Sequence, residues 1–144
     1  MTSKLVLTVA MVLAVGGVAR ADGFDPITTR QAGQDLVLGT FTGIKAVITA
    51  NGDVKTLEGP ANAIKKWSAQ FPTLFPAGSD KGNTKAAPTI WSDEAGFKKA
   101  SLQLTTAAEG LAAAAKAGDA AAVAAAFKTT GEACGACHKE YRLK

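Results

Sequence analysis

Cys134-Gly135-Ala136-Cys137-His138 sets two thiols and one imidazole side by side near the end of a 144-residue chain. The spacing C-x-x-C-H reads as covalent haem attachment. Each thiol can add to one haem vinyl group, and the adjoining imidazole can place a nitrogen on the iron. On a helix, Cys134 and Cys137 stand one turn apart and His138 stands four residues from Cys134, so all three project from one face. The sequence upstream, Asp119 to Lys128, is almost pure alanine and reads as that helix. A thioredoxin-like C-x-x-C would instead follow a strand. A zinc site needs further ligands, and the chain has only two Cys and one His. A structural disulfide, or two stray thiols, is the plain alternative.

The other end of the chain reads as an export leader. Lys4 supplies a short positive segment, Leu5 to Ala19 an apolar one, and Ala19-Arg20-Ala21 fits the small-x-small cleavage rule. The apolar run is too short for a membrane span, which needs about 20 residues. Residues 1–21 are therefore expected to be a cleaved signal peptide, and residues 22–144 one domain with no membrane anchor after processing. Export agrees with the Cys motif, because thioether attachment to exported chains takes place outside the cytoplasm. Removing Lys4 and Arg20 with the leader lowers the formal charge from +4 to +2. No basic patch with interleaved aromatics is present, which argues against nucleic-acid binding.

Residues 22–144 read as four helices with no convincing strand: an all-α fold. Asp25-Pro26 offers an N-cap followed by proline at N1, and Asn51-Gly52 a turn. Between them Ile27, Val37, Leu38, Phe41, Ile44 and Ile48 share one face. The polar Arg30 and Gln34 fall on that same inward face. Gly33, Leu36, Thr40, Gly43 and Val47 form a small-residue stripe on the back, expected to receive the same helix of a second copy. A second helix starts at Asp53 or at Gly59-Pro60, with Pro60 best placed at N1, and stops at Pro72. Leu57, Ile64, Trp67 and Phe71 share its face. The stretch from Phe75 to Pro88 is a long loop, of a length often found draped over a cofactor. A third helix takes Ser92 as N-cap and ends at Gly118; Phe97, Leu104, Ala108, Leu111 and Ala115 line it. A fourth starts at Asp119, with Val123, Phe127, Thr130, Cys134, Cys137 and Tyr141 in one stripe and His138 at its edge. The short Ala117-Gly118-Asp119 connection makes the last two helices antiparallel neighbours. Trp67, Trp91 and Tyr141 read as packing aromatics.

Taken together, these features resemble the cytochrome c′ family, the class II cytochromes c. The resemblance rests on Arg30-Gln31-Ala32, the Phe75-Pro76-Ala77-Gly78 loop, Ile90-Trp91-Ser92-Asp93, and Cys134 through Arg142, and it spans the whole of residues 22–144. It implies an antiparallel four-helix bundle holding one covalent haem c, commonly a homodimer, in the periplasm. It further implies Cys134 and Cys137 as thioethers, His138 as proximal iron ligand, Arg142 beside that histidine, and Arg30 near the haem propionates. At the position where the family usually shows an apolar residue over the open side of the haem, or Met in its low-spin relatives, this chain has Gln34.

Two function classes follow. One is a haem protein that binds diatomic gases such as nitric oxide or carbon monoxide at a five-coordinate iron, with or without electron transfer. The other is a plain electron carrier with a filled sixth position, serving an unidentified periplasmic redox partner. Enzymatic peroxidase chemistry is not expected, since the one His is already committed to the iron.

Overall fold

A computed structural model of the protein describes residues 25–144; the leader expected at 1–21 lies outside them. Asp25 caps α1 (Pro26–Thr49) by accepting from the Ile27 and Thr28 amides at 3.1 and 3.0 Å. A 3-10 turn (Val54–Leu57), capped by Asp53, leads directly into α2 (Glu58–Gln70). Pro60 therefore sits in the third helical position rather than the first. It does so without a kink, because the first four N–H groups of a helix have no partner within it. A second 3-10 turn (Phe71–Leu74) takes Pro72 into its first residues and ends the run.

After the loop comes a short helix that periodicity did not reveal, α3 (Thr89–Ser92). It displaces the expected cap of the next helix by one residue. Asp93, not Ser92, caps α4 (Glu94–Ala117), accepting from the Gly96 amide at 3.0 Å. Gly118 closes α4 in the left-handed region at φ 75°, where glycine carries no steric cost. Asp119 then caps α5 (Ala120–Tyr141), accepting from the Ala122 amide at 2.9 Å.

The four long helices form an antiparallel bundle in which α4 packs closely along both α2 and α5, while α1 meets α2 and α5 at fewer positions. The bundle has two unlike halves. In one, Ile44, Leu57, Ala61, Ile64, Ala108, Leu111, Ala115 and Val123 are each 2% exposed or less. Alanines at 61, 108, 112 and 115 let the helix axes approach, so small residues there serve packing. In the other half, Trp67, Phe71, Phe75, Phe97 and Tyr141 form a chain of tilted and edge-to-face rings with centroids 4.8–6.1 Å apart. A polar ladder marks the border: Ser101 Oγ donates to the Ser68 carbonyl at 2.6 Å, and Ser68 Oγ lies 2.9 Å from Thr105 Oγ1.

The buried strip of α1 runs through Arg30, Gly33, Val37, Phe41, Ile44 and Ile48, spaced three or four residues apart. Two expectations change here. Leu38 does not join the core; it is 64% exposed on the flank of α1, about 100° beyond Val37. Gly33 is not on an open back stripe; it is buried, and the Trp67 ring lies against it. Sequence spacing alone treats every small residue on a stripe alike, whereas a neighbouring bulky side chain decides which of them is covered.

Candidate haem site

The C-terminal turns of α5 carry the C-x-x-C-H motif, and several independent contacts hold those turns in place. Tyr141 Oη donates to Asp93 Oδ2 at 2.9 Å, tying α5 to the cap of α4. Thr89 Oγ1 donates to the Glu140 carbonyl at 2.8 Å. The Ala87 amide donates to the Tyr141 carbonyl at 3.1 Å and the Leu143 amide to the Lys85 carbonyl at 2.8 Å, around an isolated antiparallel bridge between Ala86 and Arg142. Asp93 thus caps one helix with one oxygen and anchors another with the other. Its second role had no signal in the sequence, because Asp93 and Tyr141 are 48 residues apart.

Cys134 and Cys137 are half-buried free thiols on the same face of α5, and His138 stands exposed beside them. Burial pushes both thiols up. Cys137 reaches about 11, with Cys134 adding to the rise. Both are held as neutral thiols, unlike the depressed cysteines of redox motifs. The His138 imidazole is pushed below its ordinary value, first by partial burial and then by the Arg142 guanidinium. A neutral imidazole is the form that ligates a metal. Arg142 is the C-cap of α5, one turn beyond His138, where the resemblance puts it.

Across from this face lies α1. Phe41 stacks on Phe127 with centroids 4.1 Å apart, and a Cβ at Gly131 would touch the Phe41 ring at 3.4 Å. Two helical turns from that contact, about 10 Å along each helix, the antiparallel pair brings Gln34 level with Cys134 and His138. Leu38 lies between Gln34 and Phe41 on the same flank. Gln34 is half-buried, as its inward angle suggested.

Arg30 is 3% exposed and is wrapped by the loop. Its Nη1 donates to the Leu74 carbonyl at 3.3 Å and Ser79 Oγ at 3.0 Å; its Nη2 donates to the Ser79 carbonyl and Thr84 Oγ1, both at 2.7 Å. Its guanidinium also sits 4.5 Å from the centre of the Phe75 ring. Gln31 adds a bond from Nε2 to the Asn83 carbonyl at 2.8 Å. All these acceptors are neutral. Among the described residues no carboxylate lies within ion-pair distance of Arg30, so the buried charge is hydrogen-bonded rather than ion-paired, with Asp25 acting on it only at a distance. The loop expected to drape over a cofactor therefore drapes first over Arg30.

These residues fit a haem c. Two thiols and an imidazole project from one anchored face. Opposite them, the flank of α1 offers Leu38, a large apolar side chain left open. Arg30 adds a buried positive charge, eased only at a distance by Asp25, that would favour a propionate nearby. Trp67 Nε1 is closed off from solvent yet finds no acceptor among the described residues, a donor waiting for a polar group.

The family profile described as cytochrome C′ matches residues 25–142. The cytochrome c′ of Rubrivivax gelatinosus is 36% identical over 123 residues, covering 83% of this chain and 95% of that one. Cytochrome c-556 of Agrobacterium tumefaciens (strain B2A) is 41% identical over 92 residues, covering 64% of this chain and 74% of that one. Among solved structures, cytochrome c′ from Thermochromatium tepidum superposes with a TM-score of 0.78 at 33% identity, covering 84% of this chain and 98% of that one. A variant of cytochrome c′ from Alcaligenes xylosoxidans in complex with nitric oxide does so with 0.74 at 32%, covering 83% and 94%. The chain belongs to the cytochrome c′ family and is a haem-binding electron carrier with covalently bound haem c.

Proposed function

We propose that this protein holds its haem c through Cys134 and Cys137, with His138 on the iron, and leaves the sixth coordination position open to diatomic gases such as nitric oxide and carbon monoxide. One observation carries this reading: the flank of α1 that lies level with Cys134 and His138 presents Gln34 and Leu38, neither of them a strong iron ligand. The only methionines are Met1 and Met11, and His138 is the only histidine, so thioether or second-imidazole ligation from the bundle is excluded. The nitric oxide complex of the Alcaligenes xylosoxidans relative supports the same use of the site.

When bound, haem c would supply a one-electron couple and an iron able to take a small neutral ligand. The protein does the rest. The thioethers fix the group to α5, which the Asp93 and loop contacts in turn fix to the bundle. His138, kept neutral by its surroundings, would supply the nitrogen that holds the iron, and the Arg142 guanidinium beside it disfavours imidazole protonation. Arg30 sets a positive charge at the rim for a propionate while holding the loop closed. The aromatic cluster excludes water from the inner edge. With the one His committed to iron, no acid–base group remains for peroxidase work, and the protein is not an enzyme in this reading.

The export leader expected at residues 1–21 supports a periplasmic location; among the described residues no helix is long and apolar enough to cross a membrane. A shallow groove between α1 and α2, lined by Thr40, Gly43, Val47, Leu57, Pro60 and Ala63, is the face through which two copies pair. The test is optical: ferrous protein titrated with carbon monoxide should give a saturable change in the haem bands, whereas a filled sixth position gives none.

A further inference from the structure

Asn51-Gly52 closes α1, far along the helix from the residues that face the haem. The Asn51 amide donates to the Ile48 carbonyl at 3.1 Å and the Gly52 amide to the Val47 carbonyl at 2.9 Å, the paired bonds of a Schellman turn. Asn51 takes φ 50°, a left-handed conformation that asparagine tolerates. Both residues are exposed. Asparagine before glycine is also a chemically labile pair. A glycine nitrogen, with no Cβ beside it, can close on the preceding side-chain carbonyl carbon. The other asparagines, Asn62 and Asn83, precede Ala63 and Thr84, whose side chains crowd that approach. In the closed turn the Gly52 N–H is held by Val47 and is withheld from the base that must take its proton.

We propose that Asn51 is a deamidation site gated by the C-terminal turn of α1. When the turn opens, the Gly52 nitrogen gives its proton to solvent base and attacks Asn51 Cγ. The bond from Cγ to the side-chain nitrogen breaks, and that nitrogen leaves as ammonia after taking up a proton. Water then adds to either carbonyl of the cyclic imide and yields aspartate or isoaspartate. No electron is transferred, and water is the only co-reactant. The product weakens the gate that admitted it. A carboxylate at 51 meets the negative end of the α1 dipole, whose last turn carries no basic side chain. Asp53 adds a like charge two residues on. Isoaspartate also lengthens the backbone by one carbon and displaces the Gly52 N–H from Val47, a residue that lines the groove between α1 and α2.

The holoprotein is aged in mildly alkaline buffer, beside the same protein unfolded in urea. Peptide mass spectrometry follows the amide-to-acid conversion at each asparagine, and enzymatic methylation detects isoaspartate. Asn51 should convert before Asn62 and Asn83. In the folded protein it should convert about tenfold or more slowly than in urea, by the same factor that protects the Gly52 amide from hydrogen exchange, because one opening exposes both. Ala46→Gly weakens the exposed last turn of α1 and should speed conversion about fivefold. Asn51→Asp should make the Gly52 amide exchange faster. Equal rates in folded and unfolded protein would overturn the gate, and earlier conversion of Asn62 or Asn83 in the folded protein would overturn the site. The proposal also falls if Ala46→Gly speeds Gly52 exchange and leaves conversion unchanged. If that variant takes up no haem, the wild-type match between conversion and Gly52 exchange decides: agreement supports the proposal and disagreement overturns it.

Discussion

Replacing Gly33 with alanine should destabilise the holoprotein although alanine is the better helix former. A Cβ at Gly33 would lie 2.7 Å from Trp67 Cε2 and closer still to Cζ2 and Cη2. Non-bonded carbons rest about 3.5–4.0 Å apart, so the indole must retreat by about 1 Å or more. Phe71 stands behind it, with ring centroids 5.9 Å apart, and Phe71 leans on Phe75 and Phe97. The shift therefore spreads through the aromatic half of the bundle. Forcing atoms into a packed site costs about 1–3 kcal/mol; removing glycine from a helix interior returns about 1 kcal/mol. The net change is a loss of up to about 2 kcal/mol. Gly39 is the control, on the same helix with nothing within 4 Å of a Cβ. Gly39→Ala should gain up to about 1 kcal/mol. Urea unfolding of the two haem-loaded variants, followed by far-ultraviolet dichroism, measures the difference. If both substitutions stabilise the protein equally, Trp67 does not press on Gly33 and the packing argument fails.

Other consequences follow from the same contacts. In haem-free chain kept folded, Cys137, raised to about 11, should alkylate at pH 8 about a hundredfold more slowly than an ordinary thiol that titrates near 9.0; iodoacetamide labelling read by peptide mass spectrometry checks this, and the rate should climb tenfold per pH unit. Arg30→Met removes the donors that hold Leu74, Ser79 and Thr84, and should cost about 3 kcal/mol while releasing residues 79–84 to hydrogen exchange. Gly43→Leu, placed in the groove between α1 and α2, should weaken the proposed dimer at least tenfold by sedimentation equilibrium and leave the haem spectrum unchanged.

The helix ends that carry a chemical signature were legible in the sequence. Asp25-Pro26 and Gly118-Asp119 each combine a side-chain cap with a backbone preference, and both stand where expected. The face bearing Cys134, Cys137 and His138 was legible too, because helical spacing alone brings those residues together. What remained hidden depends on partners far along the chain. The Arg30 cradle is built largely from loop carbonyls and from Ser79 and Thr84, 44 to 54 residues away, and carbonyls carry no sequence identity. Trp67 read as an ordinary core aromatic because its orphaned N–H is a property of its surroundings. Gly33 and Gly43 looked equivalent on one stripe, yet one is covered by an indole and the other has nothing within 4 Å.

Electron paramagnetic resonance of the ferric holoprotein near neutral pH tests the central claim most directly. Thioether attachment at Cys134 and Cys137, His138 on the iron and no strong ligand from α1 together require a predominantly high-spin ferric signal. A predominantly low-spin signal would contradict the account, since it would mean that a lysine, Gln34 or the processed amino terminus closes the sixth position.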